Sequence, residues 1–146
     1  MNYLTVQDLV WINSQVAGGT PQDFHFMKLE EGTFFQYAYG SSSNLLDQAA
    51  RFLAGFVSKA PFSKGNEATA FVACLTFLLI NGAQIALEDE SGKQWFSQVA
   101  GGNDTGLKDL VSQPDVHHLP SVAEAAKHVF ESYPATIAAL SSTVPA

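Results

Sequence analysis

Ala60-Pro61-Phe62-Ser63-Lys64-Gly65-Asn66-Glu67-Ala68-Thr69-Ala70 (APFSKGNEATA), running on into Phe71–Gly82 (FVACLTFLLING), decides how the rest of the chain is read. Pro61 interrupts whatever precedes it, and Lys64-Gly65 turns the chain. From Asn66 to about Asn81 the residues are apolar on nearly every side. A helix of that kind lies at the centre of its fold rather than on its surface. Asn81-Gly82 is a natural C-terminal stop. The apolar run Ala68 to Ile80 is shorter than the roughly 20 residues that span a bilayer, so it reads as a core helix. Asn66 is the expected N-cap. A helix start beside a glycine offers free amides and partial positive charge, so Lys64, Gly65 and Asn66 are the candidates for holding phosphate.

Outward from this centre the pattern stays helical. Thr5 is a plausible N-cap for a first helix carrying Val6, Leu9 and Val10, closed by Gly18-Gly19. Thr20-Pro21 suits the cap and first position of a second helix with Phe24, Phe26 and Met27, closed by Gly32. Thr33 to Ser43 is aromatic and poor in helix formers, and reads as a loop or short hairpin. Asn44 to Lys59 places Leu45, Ala49, Phe52, Leu53 and Phe56 on one face. Gln84 to Glu88 allows a brief strand. Three shorter helices follow: Lys93 to Ala100, a turn capped by Asp104 or Thr105 with Leu107, Leu110 and Val111, and Ser121 to Tyr133, ended by Pro134. The expected class is all-α: a compact bundle around the helix at about 66–81, with at most a short β-hairpin. Residues 1–134 form the expected single domain, and 135–146 a weakly ordered tail.

Composition narrows the function. The chain has 146 residues, 47% hydrophobic and 14% charged, with a net charge of −7. Its seven Lys+Arg are scattered; a nucleic-acid binder clusters them, so no nucleic-acid partner is expected. No membrane partner is expected either. The single cysteine, Cys74, precludes an intramolecular disulfide and suits a reducing cytoplasm. The first residues lack the basic-then-apolar pattern of a secretory signal.

The order helix, then x-Pro-Phe-x-x-Gly-Asn-x-x-Thr-Ala, then an apolar helix ending Asn-Gly, resembles the Fic/Doc (Fido) family. That family's motif runs His-Pro-Phe-x-(Asp/Glu)-Gly-Asn-(Gly/Lys)-Arg, often continuing Thr-Ala. Pro61, Phe62, Gly65, Asn66, Thr69 and Ala70 match it. Leu4-Thr5-Val6-Gln7-Asp8-Leu9, the Tyr37-Ala38-Tyr39-Gly40 stretch and Phe77-Leu78-Leu79-Ile80-Asn81-Gly82 are similar to the compact Doc (death-on-curing) branch. The likeness covers roughly residues 3 to 112.

The resemblance implies transfer of AMP or a phosphoryl group from a nucleotide to a protein hydroxyl, and this chain departs from the pattern where that chemistry sits. The family's motif His is the general base; Ala60 stands there and accepts no proton. Its metal-binding acid is replaced by Lys64, which repels Mg²⁺, so no Mg²⁺ is expected. Its phosphate-clamping Arg is replaced by Ala68, and Glu67 adds negative charge beside it. Pro61, Phe62 and Thr69 keep the structural positions of the motif. The expected function is therefore that of a catalytically degenerate protein that binds a protein partner, antitoxin-like or target, or a nucleotide or phosphate ion. The alternative is a divergent toxin-type AMP- or phosphotransferase of a toxin–antitoxin module. A third reading is a structural or regulatory subunit, with a homodimer or other homo-oligomer as the form open to it. The resemblance places the family's partner-aligning flap at Phe34, Phe35, Tyr37 and Tyr39, with inward packing of these rings as the rival reading.

Other chemistry is weakly signalled. His25, His117, His118 and His128 are the remaining bases. His128 lies beside an apolar stripe, and the adjacent His117-His118 share no helix face, even with Asp115 nearby, so no metal site is expected. A Ser/His/Asp hydrolase needs a strand-to-helix turn that this pattern lacks.

Overall fold

The computed structural model describes residues 1–40, 44–103, 105–112 and 119–141, the side chains of 39–40 and 108–112 excepted. The class is all-α. Its helices are α1 (Val6–Val16), α2 (Phe26–Phe34), α3 (Leu45–Lys59), α4 (Asn66–Ile80), α5 (Gly92–Ala100), α6 (Thr105–Leu110), α7 (Val122–Ser132) and α8 (Pro134–Ser141). Two short 3-10 helices, Phe35–Gly40 and Asp89–Ser91, link them. Two-residue strands β1 (Gln84–Ile85) and β2 (Val111–Ser112) pair antiparallel, Gln84 opposite Ser112. This pair lies away from residues 33–43, where the sequence suggested a hairpin.

Helix α4 is the axis. Twelve of its fifteen residues are buried, as its all-round apolar sequence requires. Helix α3 covers one side with Phe52 and Phe56, whose rings run on toward Phe77; the Phe52 and Phe77 centroids are 6.5 Å apart. On the other side Phe71 meets Trp95, Phe96 and Tyr133 edge-on, at 6.0, 6.5 and 5.6 Å, the arrangement that ring quadrupoles favour. The end of α4 is tied to the chain start. Asn81 donates through Nδ2 to the Phe77 and Asn2 carbonyls and accepts from the Asn2 amide.

Thr5 and Asp8 form a reciprocal capping box at α1, Thr5 Oγ1 accepting from Asp8 N at 3.1 Å and Asp8 Oδ2 from Thr5 N at 2.8 Å. Three other sequence expectations need correction. Helix α2 starts at Phe26 with His25 as its N-cap, not at Thr20-Pro21. Residues before it are drawn out as an extended segment whose bonds go elsewhere: His25 N donates to Pro61 O and Ser63 N to Asp23 O. Residues 33–40 are not a loop or hairpin but the end of α2 and a 3-10 helix. Gly32 lies inside α2, at a close approach where a Cβ would press on Phe56. The 3-10 helix is held by Gln36, which donates to the Leu4 carbonyl and accepts from the Leu4 amide, both at 2.7 Å.

The third correction concerns the tail. Pro134 ends α7, but it also opens α8, where Thr136 and Leu140 are buried. Proline is well suited to a first helical turn, where its missing N–H costs nothing. Asp89 supplies the partners that the other free amides need, accepting from Ala135 N at 3.0 Å and Thr136 N at 2.9 Å. Thus residues 134–141 are packed helix rather than weakly ordered chain. Among the described residues, no helix is long and apolar enough to cross a membrane.

Candidate functional site

The turn between α3 and α4 starts with Ala60, which caps α3 in a left-handed conformation (φ 44°) and is exposed. Its N–H still reaches Phe56 O at 3.0 Å. Pro61 and Phe62 then turn inward; Phe62 is 5% exposed and packs against Phe56 and Phe24. Ser63 and Lys64 point to solvent. Gly65 follows at φ 80°, a conformation that favours glycine. A Cβ on Gly65 would also sit 3.2 Å from Asn13 Nδ2 and 3.3 Å from Val16 Cγ1.

Asn66 has a different task from the expected one. Gly65 occupies the N-cap position of α4, and no side chain caps it. Asn66 instead locks the turn: its Oδ1 accepts from Phe62 N at 2.9 Å, and its Nδ2 donates to Phe62 O at 2.8 Å. Both ends of the amide side chain are engaged by the loop. Asn13, from α1, secures the other side by donating to Lys64 O and to Thr69 Oγ1, each at 3.0 Å. Thr69 is thus buried, its hydroxyl held by Asn13.

These bonds leave the helix start open. Among the described residues, nothing accepts from the amides of Asn66, Glu67 or Ala68, the first orphan donors of α4. Fifteen residues of helix dipole add partial positive charge there, and exposed Lys64 stands next to it. Glu67 lies in the same first turn and already meets part of that demand for negative charge. Ala68 is fully buried. What faces solvent at this helix start is one lysine, one opposing carboxylate and the turn at Asn66 and Glu67, since Ala68 is closed off.

The expected site residues therefore separate. Ala60, Pro61, Phe62, Lys64, Gly65, Asn66, Glu67, Ala68 and Thr69 share one turn. The flap candidates do not join them by strand pairing. Phe34 and Tyr37 lie on helical backbone, 44% and 39% exposed, and Phe35 packs on the core. The side chain of Tyr39 lies outside the described residues. The segment that does pair with the turn is Asp23–His25, bridged at Phe24 opposite Phe62. Little in the residues signals it, since Pro-Gln-Asp reads equally well as a helix start. Asn13 was more legible: it follows Leu9 and Ile12 on the buried face of α1, where a polar residue demands partners.

Neither of the two described histidines supplies what Ala60 lacks. His128 is exposed on α7; His117, His118, Asp115 and Asp104 lie outside the described residues. His25 is beside the turn, but its Nδ1 accepts from Lys28 N at 3.3 Å. A neutral imidazole that accepts at Nδ1 carries its proton on Nε2, so that nitrogen has no lone pair to offer a substrate. Among the described residues, no group of His, Cys, Asp or Glu is arranged to hold a metal.

The model of the Fic/DOC family matches residues 3–78, which takes in α1 to α3, the whole turn and α4 as far as Leu78. The chain belongs to the Fic/DOC family. Comparison with curated proteins and with solved structures gave no match.

Proposed function

We propose that this Fic/DOC domain binds without transferring: it has the scaffold of a nucleotide-handling turn and lacks the groups that would react. The single observation carrying this is the composition of the turn. Asn66 and Thr69 hold it in shape through defined hydrogen bonds and Gly65 through its left-handed backbone, while Ala60 offers a methyl group where the family's motif has its base. Position 64 carries a cation where a Mg²⁺ ligand is needed, and position 68 a buried methyl where an arginine would clamp phosphate. The likeness in spacing is to the compact Doc branch. The ligand class this supports is a phosphate group, from a nucleotide or free, held by the open amides of α4 and Lys64 without metal. A protein partner is the other class, antitoxin-like or a target.

Thermal shift with ATP, ADP, AMP and inorganic phosphate, with and without Mg²⁺, tests the first class. The expected result is stabilisation by millimolar phosphate-bearing ligand, independent of Mg²⁺ and lost in Lys64→Glu. Incubation with labelled ATP, Mg²⁺ and lysate should leave proteins unlabelled. Labelling by the protein that Lys64→Ala abolishes would establish instead the divergent transferase, the reading favoured by the open helix start beside a lysine.

A further inference from the structure

Five of the eight large hydrophobic side chains that stand exposed among the described residues fall between positions 24 and 37. Four of them make one stripe. At roughly 100° per residue, Phe26, Met27, Glu30 and Phe34 share about 100° of the outer arc of α2. The arc that adjoins it on one side, Leu29, Gly32 and Thr33, is buried. Tyr37 extends the stripe, its ring 5.9 Å from that of Phe34. Phe26 and Met27 are 58% and 64% exposed. Hydrophobic side chains gathered in this way mark an interaction surface rather than scattered surface residues. Glu31 on the flank is engaged by Lys59 at 2.6 Å. Glu30, inside the stripe, has no ion pair among the described residues.

Glu30 decides what fits. A second copy would meet this face across a two-fold axis with the α2 helices antiparallel. Phe26 would then lie against the other copy's Phe34, and Glu30, midway between them, against its own counterpart. Two carboxylates would face each other at the centre of an apolar contact with no cation between them, which is unfavourable. We propose that the occupant is an amphipathic helix of a different protein, with apolar residues spaced to meet Phe26/Met27 and Phe34/Tyr37 and a Lys or Arg between them opposite Glu30. The mode is helix against helix, read through i and i+7 anchors, with the cation setting specificity. It rests on the partner-binding half of the proposed function and not on the state of the motif turn.

The test uses the full-length protein and two fluorescently labelled synthetic helices of equal length, one of Leu and Lys, the other of Leu and Glu. Anisotropy at physiological salt should show saturable binding of the Leu/Lys helix and at least ten-fold weaker binding of the Leu/Glu helix. Phe26→Ser with Met27→Ser, the two most exposed positions of the stripe, should weaken the Leu/Lys helix about ten-fold with the thermal melt unchanged. Glu30→Gln should weaken it several-fold and narrow the discrimination. Equal binding of both helices, or binding untouched by the double substitution, overturns the proposal. So does a dimer in light scattering that the double substitution dissolves, since a second copy then owns the face. Phosphate titration reads the α4 turn independently, so the two readings fail separately.

Discussion

At the scale of single residues, the α3–α4 turn shows what sequence spacing conveys and what it hides. Gly65 was legible as the residue that lets the chain turn, and it does so at φ 80°. Phe62 was legible as core. Ala60 was not legible as a strained residue, since nothing in the letters says that α3 ends one residue before Pro61 in a left-handed conformation (φ 44°). An L-residue there costs about 1–2 kcal/mol that glycine avoids. Ala60→Gly should therefore stabilise the protein by about 0.5–1 kcal/mol, after allowing for the greater freedom of glycine in the unfolded chain. Urea denaturation followed by circular dichroism would register this as a higher midpoint at unchanged slope. A lower midpoint would mean the Ala60 methyl makes contacts worth more than its backbone strain. Asn66 taught the reverse lesson. Its place at the helix start was legible, but its bonds to Phe62 depend on how the loop folds back, which no local pattern records.

At the scale of elements, helices with an apolar stripe were read well and their junctions were not. The three segments read differently, 20–25, 33–40 and 134–141, are all fixed by bonds to distant parts of the chain. Those partners are Pro61 and Ser63, Leu4, and Asp89. Close packing has the same non-local character. A Cβ on Gly55 of α3 would run into the ring of Phe35, which belongs to the 3-10 helix that the sequence left as a loop. Gly55→Ala should cost about 1–3 kcal/mol in spite of its better helix propensity, measurable as a lowered urea midpoint. Asp89 makes the corresponding prediction in pH. Burial pushes its carboxyl up, but hydrogen bonds from Thr136 and Ala135 outweigh this and hold it below the usual carboxylate range. The folded value lies beneath the unfolded one. Its contribution is therefore complete above about pH 4 and lost as pH falls through the folded value. Asp89→Ala should destabilise by about 1 kcal/mol at neutral pH, as for other helix-capping losses. The gap to wild type should close on acidification below pH 4. A gap that persists undiminished in acid would show that Asp89 acts through packing rather than charge.

At the scale of the whole molecule, α4 carried most of the legible information, because a helix apolar on all sides has only one place to go. Its neighbours could be named from their stripes, though not the order in which they surround it. The candidate site was legible in its letters, and the family match over residues 3–78 covers it. What stayed hidden was the extended segment paired beside it and the outward stripe of α2, since exposure is a property of the assembled fold. Cys74 gives a probe of that assembly. It lies fully buried in α4, its Sγ 3.6 Å from the Ala49 carbonyl of α3, and burial pushes its thiol up to about 12. At pH 8 the reactive thiolate is then roughly one part in ten thousand, and the reagent has no path to it while α3 covers α4. Ellman's reagent should leave Cys74 unmodified in native buffer. With increasing urea, labelling should accelerate with the same dependence as the loss of helical circular dichroism, because exposing Cys74 requires the core to open as a unit. Ala60→Gly should slow the labelling about two- to five-fold, the ratio that 0.5–1 kcal/mol corresponds to when reclosing outpaces reaction. Rapid labelling in buffer, with the melt unchanged, would instead show α3 lifting from α4 without global unfolding, and would place a hinge at the α3–α4 turn.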